Sequence, residues 1–279
     1  MNSFLFLIPL TPQSHMTENR VELRILCLRN LSNQTYRNWK AILIGEKDQT
    51  IPSDDNFIIL NVLGQKEEKL QNATKYILEN NIIGDYIIRL DDDDLFNPNL
   101  LDELKDKNFD ICVDKYHTFW DASNGMIAQQ VPMWFANTCI HKRTHALMVF
   151  GNFPRDTKVF TKSNPYLIEN SHGDFHKFYN QNHIILIRNR YDPVYLRTLN
   201  PDSHSSNFTG DFVKYMNLFG IWKSNRLPSY QFINSFKLPY VPPVERLKQG
   251  FWFYLKNTYA MFKGLAKFKS QVIKKTLIR

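Results

Sequence analysis

The sequence predicts an α/β protein with a mostly parallel sheet covered by helices on both faces. In the first half, short apolar runs alternate with longer segments of helical periodicity, and an acidic cluster directly follows one of the apolar runs. The chain of 279 residues is long enough to bury a sizeable core, and its 43% apolar and 22% charged content is ordinary for a globular protein.

Four apolar runs in the first half are predicted to be strands: 4–10, 39–46, 56–62 and 85–90. Helical spacing of apolar residues predicts helices at 18–35 and 66–81. A third helix is predicted with Asn97 as its cap and Pro98 as its first residue. The inward faces should be formed by Val21, Ile25, Leu28 and Leu31 in the first helix and by Leu70, Ala73, Ile77 and Asn81 in the second.

The second half of the chain is less regular. Strands are predicted at 110–120, 133–142 and 183–190, and helices at 143–154 and 171–181. The stretch from Pro201 to Pro243 has a loop-like pattern with short apolar pieces, and no internal repeat is found.

The net charge of +8 is concentrated in one segment. Residues 245–279 carry nine Lys or Arg and one Glu, and the rest of the chain is neutral. A neutral body without a recognition module argues against nucleic-acid binding. Basic and aromatic-apolar faces lie side by side in the tail, which predicts a helix on an anionic membrane surface; docking on the protein itself or on a second subunit is the alternative. We therefore divide the chain into a domain at 1–240 and a basic amphipathic tail at 241–279.

The chain is predicted to be cytoplasmic, at the cytoplasmic face of the membrane. No apolar run approaches the length of a spanning helix, and the opening run lacks the basic flank and cleavage site of a signal peptide. Three cysteines, Cys27, Cys112 and Cys139, lie in apolar contexts without metal-ligand spacing. Buried thiols in a reducing compartment are the expectation.

The stretch YIIRLDDDDLFNPN, residues 86–99, places Asp91 to Asp94 directly after a predicted buried strand. Ligands bind at the carboxyl ends of strands in open α/β sheets, and clustered carboxylate oxygens suit Mg²⁺ or Mn²⁺ beside a diphosphate. A solvated turn before a helix is the alternative interpretation. If the strand continues, Asp91 and Asp93 should share a direction, with Asp92 pointing to the nucleoside ribose or a neighbouring loop. Without a cation, mutual repulsion should leave the turn less ordered.

Five stretches in order give the chain a resemblance to a known family. They are CLRNLSNQTYRNWKAILIGE, GDYIIRLDDDDLFNPNLL, MWFANTCIHKRTHALMVFGNFP, HGDFHKFY and YLRTLNPDSHS, between residues 27 and 205. The set resembles GT-A glycosyltransferases of the glycosyltransferase family 2 type, near a group of rhamnosyl transferases.

The resemblance implies a GT-A (Rossmann-like) fold and a metal-dependent, inverting glycosyltransferase of the hexosyltransferase type. Such an enzyme moves a sugar from a UDP-, dTDP- or GDP-linked donor to a hydroxyl of a glycan or lipid-linked acceptor, as in polysaccharide biosynthesis. It would use Mn²⁺ or Mg²⁺ to stabilise the leaving diphosphate. The alternative is a degenerate GT-A domain that binds nucleotide or glycan without turnover, since Gly173 stands where the family has Glu.

The same resemblance implies roles for individual residues. The metal and diphosphate would be held by Asp91 and Asp93, with His204 as a further ligand or an ordinary loop histidine. Asp174 falls at the position of the general base, where a helix N-terminal role is the alternative. The implied donor-binding residues are Glu46, Lys75, Asp92, Asp94 and Arg197, and the implied acceptor-binding residues are Trp134 and His172. Glu46 is equally well explained as a surface charge, Lys75 as a solvated helix lysine, and Trp120 and Trp134 as core residues.

Overall fold

The computed structural model describes residues 1–122, 126–130, 135–149, 164–170, 175, 178–179, 181–199, 202, 236 and 238. Eleven strands lie within these residues: β1 Phe4–Pro9, β2 Trp39–Ile44, β3 Phe57–Leu60, β4 Tyr86–Arg89, β5 Leu95–Phe96, β6 Ile111–Asp114, β7 His117–Asp121, β8 Met126–Gln130, β9 Ile140–Lys142, β10 Ile185–Arg188 and β11 Tyr195–Leu199. The α-helices of the same residues are α1 Glu18–Ser32, α2 Lys66–Glu79, α3 Leu100–Leu104 and α4 Arg143–Ala146.

Seven of the strands form the main sheet, in the order β10-β6-β9-β4-β1-β2-β3. The four strands at β4-β1-β2-β3 run parallel, whereas β9 runs antiparallel to both β4 and β6. The predicted fold class, an α/β protein with a mostly parallel sheet and flanking helices, is confirmed.

Helices α1 and α2 begin at side chains that satisfy their first backbone N–H groups. The Thr17 side chain accepts from the Arg20 N–H, and Gln65 and Glu68 form a reciprocal capping box at the start of α2. The predicted inward face of α2 is confirmed for Leu70, Ala73 and Ile77, which pack in the core against the sheet.

The inward face of α1 differs from the prediction. Val21 and Ile25 are only half-buried, whereas Leu23 and the charged Arg24 are buried. A hydrophobic pattern assigns arginine to solvent, so it cannot identify a helix face that is turned towards buried carboxylates. Asn81, predicted beside the α2 face, is exposed beyond the end of the helix.

Several element boundaries also differ from the prediction. The strand predicted at 110–120 is two strands, β6 and β7, and in the described part of 133–142 only Ile140–Lys142 forms a strand. Helix α3 begins at Leu100 rather than Pro98, with Asn99 in place of Asn97 at the cap position. The Asn97 side-chain amide donates to the Asp192 carboxylate at 2.7 Å and to the Pro193 carbonyl at 2.9 Å.

A second compact unit contains the four-stranded sheet β5-β11-β7-β8. Strand β11 pairs antiparallel with β5 and parallel with β7, and β8 pairs antiparallel with β7. Trp120 is buried in this unit, in agreement with its interpretation as a core residue.

The three cysteines are free and buried, as predicted. None of the helices in the described ranges is both long and apolar enough to cross a membrane. The tail at 245–279 and the 240/241 boundary lie outside the described residues, so both stay predictions.

Asp114, at the end of β6, is a buried carboxyl group that gives the stability a pH dependence. Its Oδ1 accepts the Val194 N–H at 2.7 Å, and its Oδ2 is buried without a hydrogen-bond partner among the described residues. Burial raises the pKa of Asp114 to about 8. The folded chain therefore keeps a proton that the unfolded chain releases near pH 4, and the contribution of this group to stability falls as pH rises from about 4 to about 8.

We predict that Asp114→Asn removes this pH dependence. The free energy of unfolding of the parent should decline relative to the variant by up to about 1.4 kcal/mol per pH unit between pH 5 and pH 7. Urea denaturation of both proteins across that range measures the difference, in which the titration of all other groups cancels. Parallel curves for the two proteins would show that Asp114 does not titrate there.

Candidate active site

The candidate site lies at the carboxyl edge of the parallel strands in the main sheet. Residues 10–16 follow β1, residues 45–50 follow β2, and residues 90–94 follow β4. Neighbouring parallel strands end at the same edge, so these three loops meet there. Gly45 permits their close approach, because its φ is +154° and an added Cβ would lie 2.9 Å from the Leu10 Cβ.

The acidic run forms a turn at this edge. Strand β4 ends at Arg89, and the Asp94 N–H donates to the Asp91 carbonyl at 3.1 Å. Burial alternates along the run: Asp91 and Asp93 are half-buried, and Asp92 and Asp94 are buried. Burial thus alternates from residue to residue, as expected for an extended chain, although β4 ends before Asp91.

Asp91 is held on both carboxylate oxygens by different groups. Its Oδ1 accepts from the Lys66 ammonium at the first position of α2, and its Oδ2 accepts from Asn137 Nδ2 at 3.0 Å. The side chains of Asp91 and Lys66 are 33% and 36% exposed. Small ligands therefore have access to the Asp91–Lys66 pair.

Asp92 turns to the neighbouring loop after β1, one of the two directions predicted. Its Oδ2 accepts from the Thr11 N–H at 2.7 Å and from Arg24 Nε at 2.9 Å, and its Oδ1 accepts from Thr11 Oγ1 at 2.9 Å. Asp92 is buried, and these bonds occupy both of its carboxylate oxygens. We therefore assign Asp92 to positioning the loop after β1.

Arg24 connects the turn to two further loops. Its guanidinium also donates to Asp48 Oδ2 at 2.6 Å and to the Thr11 carbonyl at 2.5 Å. Burial raises the pKa of Asp48, but hydrogen bonds from Thr50 and the charge of Arg24 outweigh it, so the pKa lies below its usual value. Asp48 is thus an anion paired with a buried cation.

Asp93 also has a cationic neighbour. Arg20 Nη2 lies 3.6 Å from Asp93 Oδ2 and donates to Thr11 Oγ1 at 2.9 Å. Three of the four carboxylates thus face protein cations from two helices, Lys66, Arg24 and Arg20. These cations offset the mutual repulsion that we expected to disorder the turn.

Lys69 and Glu46 lie near the same loops. Lys69 is buried and its ammonium donates to the Leu10 carbonyl at 2.8 Å. Burial lowers the pKa of Lys69, and the charges of Asp92 and Glu46 oppose that effect. Glu46 is exposed, and its Oε2 accepts from the Gln13 N–H at 3.4 Å. Glu46 is therefore accessible at this edge of the sheet.

Of the other residues predicted for the site, the structure describes Lys75 and Arg197. Lys75 forms a 3.8 Å ion pair with Glu79 on α2, and its side chain is 70% exposed. Lys66, rather than Lys75, connects α2 to the acidic turn, and Lys69 connects α2 to the loop after β1. Arg197 lies in the four-stranded sheet, opposite Phe119 of β7. The structure does not describe Trp134, His172, Asp174 and His204.

The residues of the turn fit a divalent cation only in part. The oxygens of Asp91 and Asp93 are the hard ligands that Mg²⁺ and Mn²⁺ prefer, and the Lys66 ammonium already occupies a cation position on Asp91. Among the described residues, no group of three His, Cys, Asp or Glu side chains could hold a metal ion. The donor set fits an ion that takes further oxygens from a diphosphate and water.

No protein-family model matches the chain, and no curated protein matches it. Solved structures similar to it include S. aureus TarS 1-349, with 12% identity and a TM-score of 0.42, where the match covers 96% of this chain and 72% of that chain. TarS 1-349 in complex with UDP-GlcNAc shows 11% identity, a TM-score of 0.43, and coverage of 96% and 73%. A further S. aureus TarS structure shows 14% identity, a TM-score of 0.42, and coverage of 82% and 41%. The assignment to the rhamnosyl transferase group stays a prediction.

Four residues that organise the site were not predicted from the sequence: Arg24, Lys66, Arg89 and Asn137. Two of them could have been noticed in the sequence. Arg89 is a charged residue within the apolar run YIIRL, and Lys66 is the first residue of a predicted helix that follows a strand. Arg24 could not be recognised as buried, because the hydrophobic pattern of its helix assigns arginine to the solvent side. Asn137 left no signal, because its contacts depend on segments distant in sequence.

We predict that Arg24→Met strongly destabilises the protein. The change leaves Asp92 and Asp48 without their shared cation, and breaking a buried ion pair from one side costs about 3–5 kcal/mol. Chemical denaturation at pH 7 measures the loss. The double variant Arg24→Met/Asp92→Asn should recover part of it, because it removes one stranded charge. Equal stability of Arg24→Met and the parent would contradict the role assigned to Arg24.

Proposed function

We propose that this protein is a metal-dependent glycosyltransferase that transfers a sugar from a nucleotide-sugar to a hydroxyl of a glycan or lipid-linked acceptor. The observation that carries the proposal is the acidic turn at the sheet edge, in which accessible Asp91 and Asp93 face cations from α2 and α1. A nucleotide-sugar brings a diphosphate, and this turn offers both carboxylates for a cation and cations for phosphate oxygens. The motif resemblance supports the same reaction.

The arrangement suggests an exchange of partners when the donor binds. A divalent ion bound here would stabilise the negative charge that develops on the leaving diphosphate. Asp91 Oδ1 can hold such an ion only if Lys66 moves away. A displaced Lys66 ammonium needs a new anion, and the diphosphate supplies one. Cation and nucleotide should therefore bind better together than either binds alone.

Asp174 is the proposed general base that takes the proton of the acceptor hydroxyl. It lies outside the described residues, but Asn170, four positions earlier, is tied through its carbonyl to Arg89 Nη1 at 2.8 Å. Arg89 in turn bonds Asn137, which contacts Asp91. Ile168 and Asn170, which precede Asp174 in the sequence, are thus linked to the acidic turn. Direct attack by the activated hydroxyl would invert the anomeric centre.

We predict that donor binding and turnover respond differently to two substitutions. Asp93→Ala should abolish Mn²⁺-dependent binding of the nucleoside diphosphate, because it removes one of the two proposed metal ligands. Asp174→Asn should keep the parental affinity and lower kcat by about 10²–10⁴-fold. Calorimetry with UDP, dTDP or GDP and turnover of labelled nucleotide-sugars measure the two effects.

Asp102→Ala is the matched control for this experiment. Asp102 is an exposed aspartate on α3 that pairs with Lys105 at 2.9 Å, so its removal should leave binding and turnover unchanged. If the parent binds donor but turns over none, the protein is a binding domain rather than an enzyme. If the parent binds no nucleoside diphosphate with Mn²⁺, the proposed function is wrong.

We predict effects of opposite sign for Lys66→Met. Loss of the competing ammonium should strengthen binding of Mn²⁺ alone by about two- to fivefold, as for an exposed ion pair. Loss of a charge-assisted phosphate contact should weaken binding of Mn²⁺ with nucleoside diphosphate by about 10- to 100-fold. Lys105→Met, which breaks the comparable pair with Asp102, should change neither value. If Lys66→Met binds both Mn²⁺ alone and Mn²⁺ with nucleoside diphosphate more weakly than the parent, Lys66 does not exchange Asp91 for the diphosphate.

A further inference from the structure

Arg89 is a buried cation in the middle of the main sheet. It lies in β4 opposite Leu7 of β1, and 5% of the residue is exposed. Burying a charge costs free energy unless the charged group is hydrogen-bonded. The partners of Arg89 must therefore compensate for its burial. Its Nη1 donates to the carbonyls of Ile168 at 3.2 Å and Asn170 at 2.8 Å, and its Nη2 donates to Asn137 Oδ1 at 3.0 Å.

Asn137 passes this connection on to the acidic turn. Its Nδ2 donates to Asp91 Oδ2 at 3.0 Å. The orientation of the amide follows from chemistry, because guanidinium can only donate and a carboxylate can only accept. Asn137 is 8% exposed, and both of its polar atoms are engaged in these two bonds.

The neutral Asn137 amide between Arg89 and Asp91 limits how many carboxylate oxygens of Asp91 are occupied. Direct contact between arginine and carboxylate is commonly bidentate and would engage both oxygens of Asp91. Through Asn137, only Oδ2 of Asp91 is held by the amide, and Oδ1 accepts from Lys66; the Asp91 side chain is 33% exposed. Arg89 thereby reaches Asp91 without taking the atom that faces Lys66. Burial lowers the pKa of Arg89, and the charge of Asp91 acts against this lowering. Arginine side chains stay protonated in proteins, so we treat the guanidinium as a cation.

We propose that Arg89 and Asn137 form a positioning relay that fixes Asp91 Oδ2 and leaves Oδ1 to bind the divalent cation. This inference rests on the proposed function. It also assigns Arg89 a second role, since the same guanidinium holds the backbone of Ile168 and Asn170, in the segment that leads to Asp174. One buried side chain thus contacts both the amide that holds Asp91 and the backbone carbonyls of Ile168 and Asn170.

The test uses the full-length chain and Mn²⁺ with whichever of UDP, dTDP and GDP binds the parent most tightly. Asn137→Ala should weaken binding of the Mn²⁺–nucleotide complex by about 10- to 100-fold, the range typical of groups that orient metal ligands. Binding of Mn²⁺ alone, followed by electron paramagnetic resonance, should weaken in the same direction. Arg89→Met should have an effect of similar size.

The double variant Arg89→Met/Asn137→Ala distinguishes a relay from independent damage. In a relay, the double variant binds no more weakly than the weaker single variant; independent effects would multiply. Asn137→Ala alone keeps the test decisive if Arg89→Met fails to fold. Arg143→Met is the matched control, because Arg143 Nη1 donates to the Ile82 carbonyl at 2.7 Å; its affinity should equal that of the parent.

The outcomes separate the relay from the function on which it rests. Parental affinity in folded Asn137→Ala, or multiplicative effects in the double variant, would overturn the relay while the glycosyltransferase proposal stands. Absence of any Mn²⁺-dependent nucleotide binding by the parent would overturn both. Weakened binding in Asn137→Ala with an unaffected Arg143→Met supports the relay.

Discussion

The ion pairs of Arg24 with Asp92 and Asp48 are the contacts on which the candidate site depends. A single buried guanidinium joins helix α1 to the loops after β1, β2 and β4. Each loop would otherwise bring uncompensated polar groups into a poorly solvated region. Arginine suits this position because its planar donors can satisfy several acceptors at once and it stays charged when buried.

The cations around the acidic turn differ in how firmly they are held. Arg24 and Arg89 are buried and donate to several acceptors each, so they act as fixed parts of the scaffold. Lys66 is one-third exposed and sits on a flexible side chain. Fixed cations preserve the geometry of the turn, and in the proposed function the exposed Lys66 would give way to the divalent cation. Arginine, with several fixed donors, is found at the buried positions, and lysine, with a flexible side chain, at the exposed one.

The sequence was informative where local pattern decides the structure. The alternation of apolar runs and helices located β1 to β4 and α1 to α2 within a few residues, because burial against a sheet imposes those periods. It failed for β8 and β11, and for the start of α3, where pairing with distant segments decides. In the site, the acidic turn was predictable from adjacent residues. Arg24 and Asn137 were not, because their charged partners lie 24 to 68 positions away.

Burial divides the four aspartates of the turn into two pairs. Asp92 and Asp94 are buried at 5% and 3%, and Asp92 fastens the turn to Thr11 and Arg24. Asp91 and Asp93 have side chains exposed by 33% and 17% and face Lys66 and Arg20. Asp92 secures the loop, and the more exposed Asp91 and Asp93 face Lys66 and Arg20. A turn with only the outward pair would lose its anchor to Arg24, so adjacent like charges are tolerated because they point to different partners.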